Sequence, residues 1–317
     1  MSASPEPVNG LERLRSGVGG SGARISFIDE FPFWFTDIEM GCVSIVCELD
    51  DLLHSAWELS PLGVIAACAD SALGGVVGTV LDGEHLSISL QLRVDAARPI
   101  ANDLRRFSCR ATLLDVGPDV GLARADVLDD DGRIIAQALL RSAVTKVRPN
   151  TATADPVASR SATPYPSGGV PPADTPEADA LSPEAQAQDG LTVAICRYLQ
   201  ASIASETDNA LDVTVIPTAV MANSVSMVHG GAVALLTGLG GALTAQRRLV
   251  SRPTREIGLE IAYYAANRVE TPTTLRGSVV HQTKRMATVE GEIRDPAGRI
   301  TTSFRQLWQC APRSPQA

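Results

Sequence analysis

Apolar residues at Ile88, Leu90, Leu92 and Val94 alternate with polar ones, the two-residue period of a half-buried strand. They belong to a run, Leu86 to Val94, that is followed by three more strand-like runs: Phe107 to Leu114, Val120 to Leu128 and Ile134 to Val144. Ahead of them stand a strand-like segment, Cys42 to Leu49, and a helix of small residues predicted from Pro61 to about Val80. The second half of the chain repeats this order. It has Leu211 to Ile216, a helix from about Gly230 to Arg247, and then Ile257 to Tyr264, Thr273 to Gln282, Met286 to Ile293 and Ile300 to Gln309. Two local signatures recur as well. Leu90-Gln91-Leu92-Arg93-Val94-Asp95-Ala96-Ala97 lies over Leu259-Glu260-Ile261-Ala262-Tyr263-Tyr264-Ala265-Ala266. Asp129-Asp130-Asp131-Gly132-Arg133-Ile134 lies over Asp295-Pro296-Ala297-Gly298-Arg299-Ile300, and both read as hairpin turns closed by glycine.

One long helix followed by consecutive strands is an α+β pattern, because parallel strands would need helices between them. The small-residue stretches Ala66-Ala67-Cys68-Ala69 and Gly238-Leu239-Gly240-Gly241-Ala242 would let a sheet wrap closely around each helix. Between the halves the chain turns to Pro, Ala, Ser, Thr and Asp, as in Tyr165-Pro166-Ser167-Gly168-Gly169. Such a stretch buries too little apolar surface to offset its ordering entropy. The expected organisation is a domain over 25–147, a linker over 148–183 and a domain over 184–312 that opens with a helix between Glu184 and Ala204; a length of 317 residues suits two domains.

A formal net charge of −9 argues against nucleic acid as a partner, since phosphates need a basic stripe. No uninterrupted apolar run of about 18 residues is present, so no membrane span is expected. Met1 to Arg24 lacks the apolar core of a secretory signal, which points to the cytoplasm. The six cysteines, none in a Cys-x-x-Cys spacing, fit reduced core thiols. His54, His85 and His281 match no metal-ligand spacing, so no metal and no cofactor are expected.

The second helix is opened by Asn223-Ser224-Val225-Ser226-Met227-Val228-His229-Gly230-Gly231. This segment resembles the Asn-x5-His-Gly-Gly element of hotdog-fold acyl-CoA thioesterases of the phenylacetate-pathway, or PaaI-like, type. The resemblance implies a tandem (double) hotdog, each half an antiparallel sheet wrapped around a central helix, that hydrolyses an acyl-CoA substrate to free acid and CoA. In that family an acidic residue lies nine positions after the His, and here that position holds Gly238. In the first half Pro61-Leu62-Gly63 lies over His229-Gly230-Gly231, Ser55 lies over Asn223, and the acidic position holds Asp70. Paired hotdog domains set the helix acid of one against the Asn and Gly-Gly turn of the other, so complementary loss implies one composite site in a fused chain.

The roles follow from the resemblance. Asp70 would act as general base or nucleophile. The Gly230 N–H, free in the first helical turn, would polarise the thioester carbonyl, and Gly231 would let substrate approach the backbone. Asn223 would orient the water or the carboxylate, His229 would shape the turn, and Ser87 would assist, its counterpart in the second half being Glu256. The mirror position around Pro61 and Gly238 is expected to be catalytically empty. Lys284 and Arg285 are candidates for the CoA phosphates, with Arg247, Arg248, Arg252 and Arg255 as the alternative cluster. A homodimer of double-hotdog chains is expected.

Bland alternatives compete with these roles. A helix Asp is usually solvated, but Ala66, Ala67, Cys68, Ala69, Ala72 and Leu73 around Asp70 point to burial, where a carboxylate is costly and tends to be functional. Hotdog hydratases and dehydratases carry Asp-x-Asn-Pro-x-His; here Ser224 stands where that Asp would be. A hotdog protein that only binds acyl-CoA is the remaining alternative.

Overall fold

A computed structural model describes residues 9–18, 26–146, 194–249 and 252–310, so the linker expected over 148–183 lies outside the described residues. The first half contributes helices α1 (Gly10–Val18), α2 (Ser26–Glu30), α3 (Asp51–Leu59) and α4 (Pro61–Gly78). Its strands are β1 (Phe33–Glu39), β2 (Cys42–Glu48), β3 (His85–Ala96), β4 (Arg106–Val116), β5 (Val120–Leu128) and β6 (Ile134–Lys146). The second half contributes α5 (Ala194–Tyr198) and α6 (Gly230–Arg248), with β7 (Ser202–Glu206), β8 (Ala210–Val215), β9 (Pro253–Tyr263), β10 (Thr273–Gln282), β11 (Met286–Arg294) and β12 (Ile300–Cys310).

All twelve strands form one antiparallel sheet in the order β1-β2-β4-β5-β6-β3-β9-β12-β11-β10-β8-β7. The join is β3 against β9, and its register includes Leu92 opposite Ile261. Those two residues are also superposed by the repeated signature, so an approximate twofold axis passes between them. Helix α4 packs on β2 to β6, α6 packs on β8 to β12, and the two helices pack on each other. Each half is therefore a sheet wrapped around one central helix, the α+β arrangement expected from the sequence.

Local chemistry explains where these elements start and turn. Helix α4 has Pro61 in its first turn and Ser60 as N-cap, with Ser60 Oγ accepting from Gly63 N–H at 3.1 Å. The two Asp-to-Arg turns are built alike. Asp129 Oδ1 accepts from Asp131 and Arg133 N–H, Asp295 Oδ1 accepts from Ala297 and Arg299 N–H, and Gly132 and Gly298 take φ of 74° and 80°.

Several expectations need correction. The part of the Glu184–Ala204 helix before Ala194 lies outside the described residues; the rest is helical only to Tyr198, where Gln200 adopts φ 51° and the chain turns into β7. Helix α4 does have the length and mean hydropathy, 1.5, of a membrane-spanning helix, despite Asp70 within it. Fourteen of its eighteen residues are buried against the rest of the chain, as a core helix requires. Cys47, Cys68, Cys109, Cys196 and Cys310 are buried free thiols, and Cys42 is half-buried.

Candidate active site

Asp70 sits in the third turn of α4 with 4% of its surface exposed, facing the N-terminus of α6. A β-carbon at Gly230 would lie 2.6 Å from Asp70 Oδ2 and 2.9 Å from Oδ1, so only glycine lets the carboxylate come this close to the backbone. His229 is the N-cap of α6, its Nδ1 accepting from Gly231 N–H at 2.9 Å. That acceptor role fixes Nδ1 as unprotonated, and burial lowers the imidazole to about 4. His229 Nδ1 lies 3.7 Å from Asp70 Oδ2, a contact between a neutral ring and a carboxyl rather than an ion pair. The ring stacks on Phe27 of α2, with centroids 5.0 Å apart and planes at 17°.

Burial pushes the Asp70 carboxyl up to about 6, against the opposing pull of hydrogen bonds from Ser89 and the Gly231 N–H. The Ser89 hydroxyl donates to Asp70 Oδ1 at 2.6 Å. Ser87 makes no such bond: its Oγ is buried without a hydrogen-bond partner. Ser89 is two residues further along β3, on the same face, and sits at a bulge between Ser89 and Gln91 that sequence spacing does not reveal. Its cross-strand neighbour Ser142 likewise keeps an unpartnered buried hydroxyl. Tyr263, another residue missed in the sequence, donates to the Gly230 carbonyl at 3.3 Å, and burial and the nearby Asp70 charge hold its phenol protonated.

Other sequence candidates lie elsewhere. Asn223 Oδ1 accepts from Val225 and Met227 N–H, both at 3.0 Å, so this oxygen shapes the loop that delivers His229 rather than reaching Asp70. Lys284 and Arg285 are exposed in the turn between β10 and β11, with no bond to Asp70 among the described residues. The alternative basic cluster is divided: Arg247 and Arg248 both pair with Glu206. Among the described residues no group of His, Cys, Asp or Glu side chains could hold a metal ion.

At the mirror position the two helices touch where the acid is missing: a β-carbon on Gly238 would lie 2.4 Å from Gly63 Cα. Buried polar groups fill this position, with Glu256 and Gln306 bridging the two helices. Glu256 of β9, 5% exposed, accepts from Ser60 Oγ at 2.9 Å, from Leu62 N–H at 3.1 Å and from Gln306 Nε2 at 2.7 Å. Gln306 Nε2 also donates to the Gly238 carbonyl at 2.9 Å. Burial outweighs the Ser60 and Leu62 hydrogen bonds and raises Glu256 to about 8. A folded value raised this far supplies stability below the ordinary value near 4.5 that is lost as pH rises through about 8. The melting temperature of the protein should therefore fall between pH 6.5 and 9, and Glu256→Gln should flatten that fall; an unchanged slope would show that Glu256 ionises freely.

Residues 226–302 match the Thioesterase superfamily. No curated protein matches the chain. Among solved structures, the tesB protein of Mycobacterium avium subsp. paratuberculosis aligns with a TM-score of 0.55 at 14% identity, over 88% of this chain and 96% of that one. The acyl-CoA thioesterase II TesB2 of Mycobacterium marinum aligns with a TM-score of 0.53 at 14% identity, over 89% and 97%. The fold is a double hotdog. A protein of Thermobifida fusca named putative thioesterase II shares it with a TM-score of 0.53 at 14% identity, over 90% and 97%. At such identity the likeness bears on the hotdog fold alone, and the site has to be argued from its own residues.

Proposed function

We propose that the chain is an acyl-CoA thioester hydrolase of PaaI-like type, with one composite site between hotdog domains over 25–147 and 184–312. The observation that carries this reading is the contact of Asp70, from the first half, with Gly230 at the α6 N-terminus of the second. A buried carboxyl near neutrality beside the Gly230 N–H at a helix N-terminus is what acyl transfer to water requires.

In the reaction, Asp70 takes a proton from water as the water oxygen bonds to the thioester carbonyl carbon. Ser89 holds Oδ1, leaving Oδ2, beside Gly230, for the water. The developing oxyanion is received by the Gly230 N–H, which as the first residue of α6 has no acceptor within the helix. Collapse breaks the C–S bond, and the proton passes from Asp70 to the departing thiolate. The Thioesterase superfamily match over 226–302 and the TesB2 name of a structural neighbour support a thioester of CoA as substrate. Release of free thiol across short, long and aromatic acyl-CoAs tests the reading: turnover of at least one class is expected, and binding without release of any would replace hydrolysis with acyl-CoA binding.

Because the base must be ionised, kcat/KM should rise with pH to a midpoint near 6. The Ser89 bond favours the charged form, so Ser89→Ala should move that midpoint upward and lower the plateau by about tenfold. An unmoved midpoint would remove Ser89 from the site.

A further inference from the structure

On the mirror side of the helix pair lies a cavity of about 390 Å³ that the proposed reaction does not use. Leu59, Ile100 and Trp308 supply apolar wall, Glu256 is reached on one side, and Arg252 and Arg255 line it as cations. Two guanidinium groups lining one cavity demand an anion, and their planar fork is matched best by a carboxylate.

The neighbouring charges do not meet that demand. Arg247 and Arg248 are taken by Glu206, whereas no ion pair involving Arg252 or Arg255 is formed among the described residues. Glu256 is held by Ser60, Leu62 N–H and Gln306, and with its carboxyl raised to about 8 it carries little negative charge at neutral pH. Glu58, also on the wall, is 63% exposed and lies 3.8 Å from His54. The volume is at the small end of the range for ligand pockets, enough for a compact organic molecule.

We infer that this cavity binds a small organic acid, with its carboxylate on Arg255 and Arg252 and its hydrocarbon or aromatic body against Leu59, Ile100 and Trp308. The site stands on its own residues and is separate from the Asp70 site, so it does not require the chain to hydrolyse thioesters. Free carboxylic acids are nevertheless the product class of the proposed reaction, which would give the second site access to its ligand.

Calorimetric titration of the full chain with octanoate, with phenylacetate and with inorganic phosphate tests this. Saturable binding of at least one organic acid is expected, weakened at least tenfold by Arg255→Ala, less by Arg255→Lys, and not at all by Asp70→Asn. Arg252→Ala, on the exposed rim, should weaken binding without disturbing the fold and so serves if Arg255→Ala unfolds the chain. The proposal is overturned if neither acid binds, if phosphate binds as tightly as both, if the arginine variants bind like wild type, or if Asp70→Asn abolishes binding. If the wild-type protein releases thiol from no acyl-CoA yet still binds an organic acid, the proposed hydrolysis fails and this site stands.

Discussion

Asp70→Asn should lower kcat for thiol release by roughly 10³-fold, within the range that a positioned general base supplies, while the protein stays folded. The stability expectation is the more unusual half. At pH 8 Asp70 is ionised in a site that burial raises from 3.8 to about 6, so holding the charge costs the native state on the order of 2–3 kcal/mol. Asn keeps the acceptor for Ser89 and removes the charge. Its amide would face the Gly231 N–H less favourably, which offsets part of the gain. The melting temperature at pH 8 should accordingly be no lower than that of wild type, an activity loss without the stability loss that a merely structural residue would show. A variant that hydrolyses at the wild-type rate would remove Asp70 from catalysis, and one that loses activity by unfolding would make its role structural.

Gly238→Ala should have the opposite character, a large stability effect at a position with no proposed chemistry. The added β-carbon would lie 2.4 Å from Gly63 Cα and 2.9 Å from Ser60 Oγ, and the nearer atom is backbone. Relief requires the two central helices to part, and overpacking of this kind costs about 1–3 kcal/mol or more. Chemical denaturation should show a lowered midpoint, and Gly238→Asp should lower it further, so the lost acid cannot simply be restored. Wild-type stability in Gly238→Ala would mean that the helices have slack at their crossing. The close approach also accounts for Glu256: with no acid on α6, a carboxyl from β9 meets the Leu62 N–H.

Much of this architecture is legible in the chain because it is written in periodicity. The alternation from Ile88 to Val94, the two Ala- and Gly-rich helices and the paired Asp-to-Arg turns locate most strands within a few residues, but the β3 bulge turns Ile88 and Leu90 outward while Leu92 and Val94 are buried, and the Leu92–Ile261 join is seen only in the structure. The pairing of Asp70 with Gly230 was implied by the resemblance to hotdog thioesterases, in which an acid is expected where Gly238 stands and Asp70 occupies the matching position of the first half. What escaped depends on side-chain direction. The β3 bulge beside Ser89 lies in backbone geometry, so spacing pointed to Ser87. Asn223 turns its oxygen into its own loop, where Ser226 takes φ 60°. Strand β1 was missed because its own bulge, between Phe35 and Asp37, breaks the alternation. The division of the arginines between Glu206 and the mirror cavity depends on how β9 leaves α6, which no short-range pattern records.

The central claim is that residues from two halves of one chain form a single site, and a double-mutant cycle on kcat/KM for thiol release tests it most directly. Gly230→Ala places a methyl group against the Asp70 carboxylate, 2.6 Å from Oδ2 before relaxation, and should slow release on its own. If the two residues act together, the double variant Asp70→Asn/Gly230→Ala is no slower than Asp70→Asn alone. Losses that multiply, each residue contributing its full effect regardless of the other, would contradict a composite site.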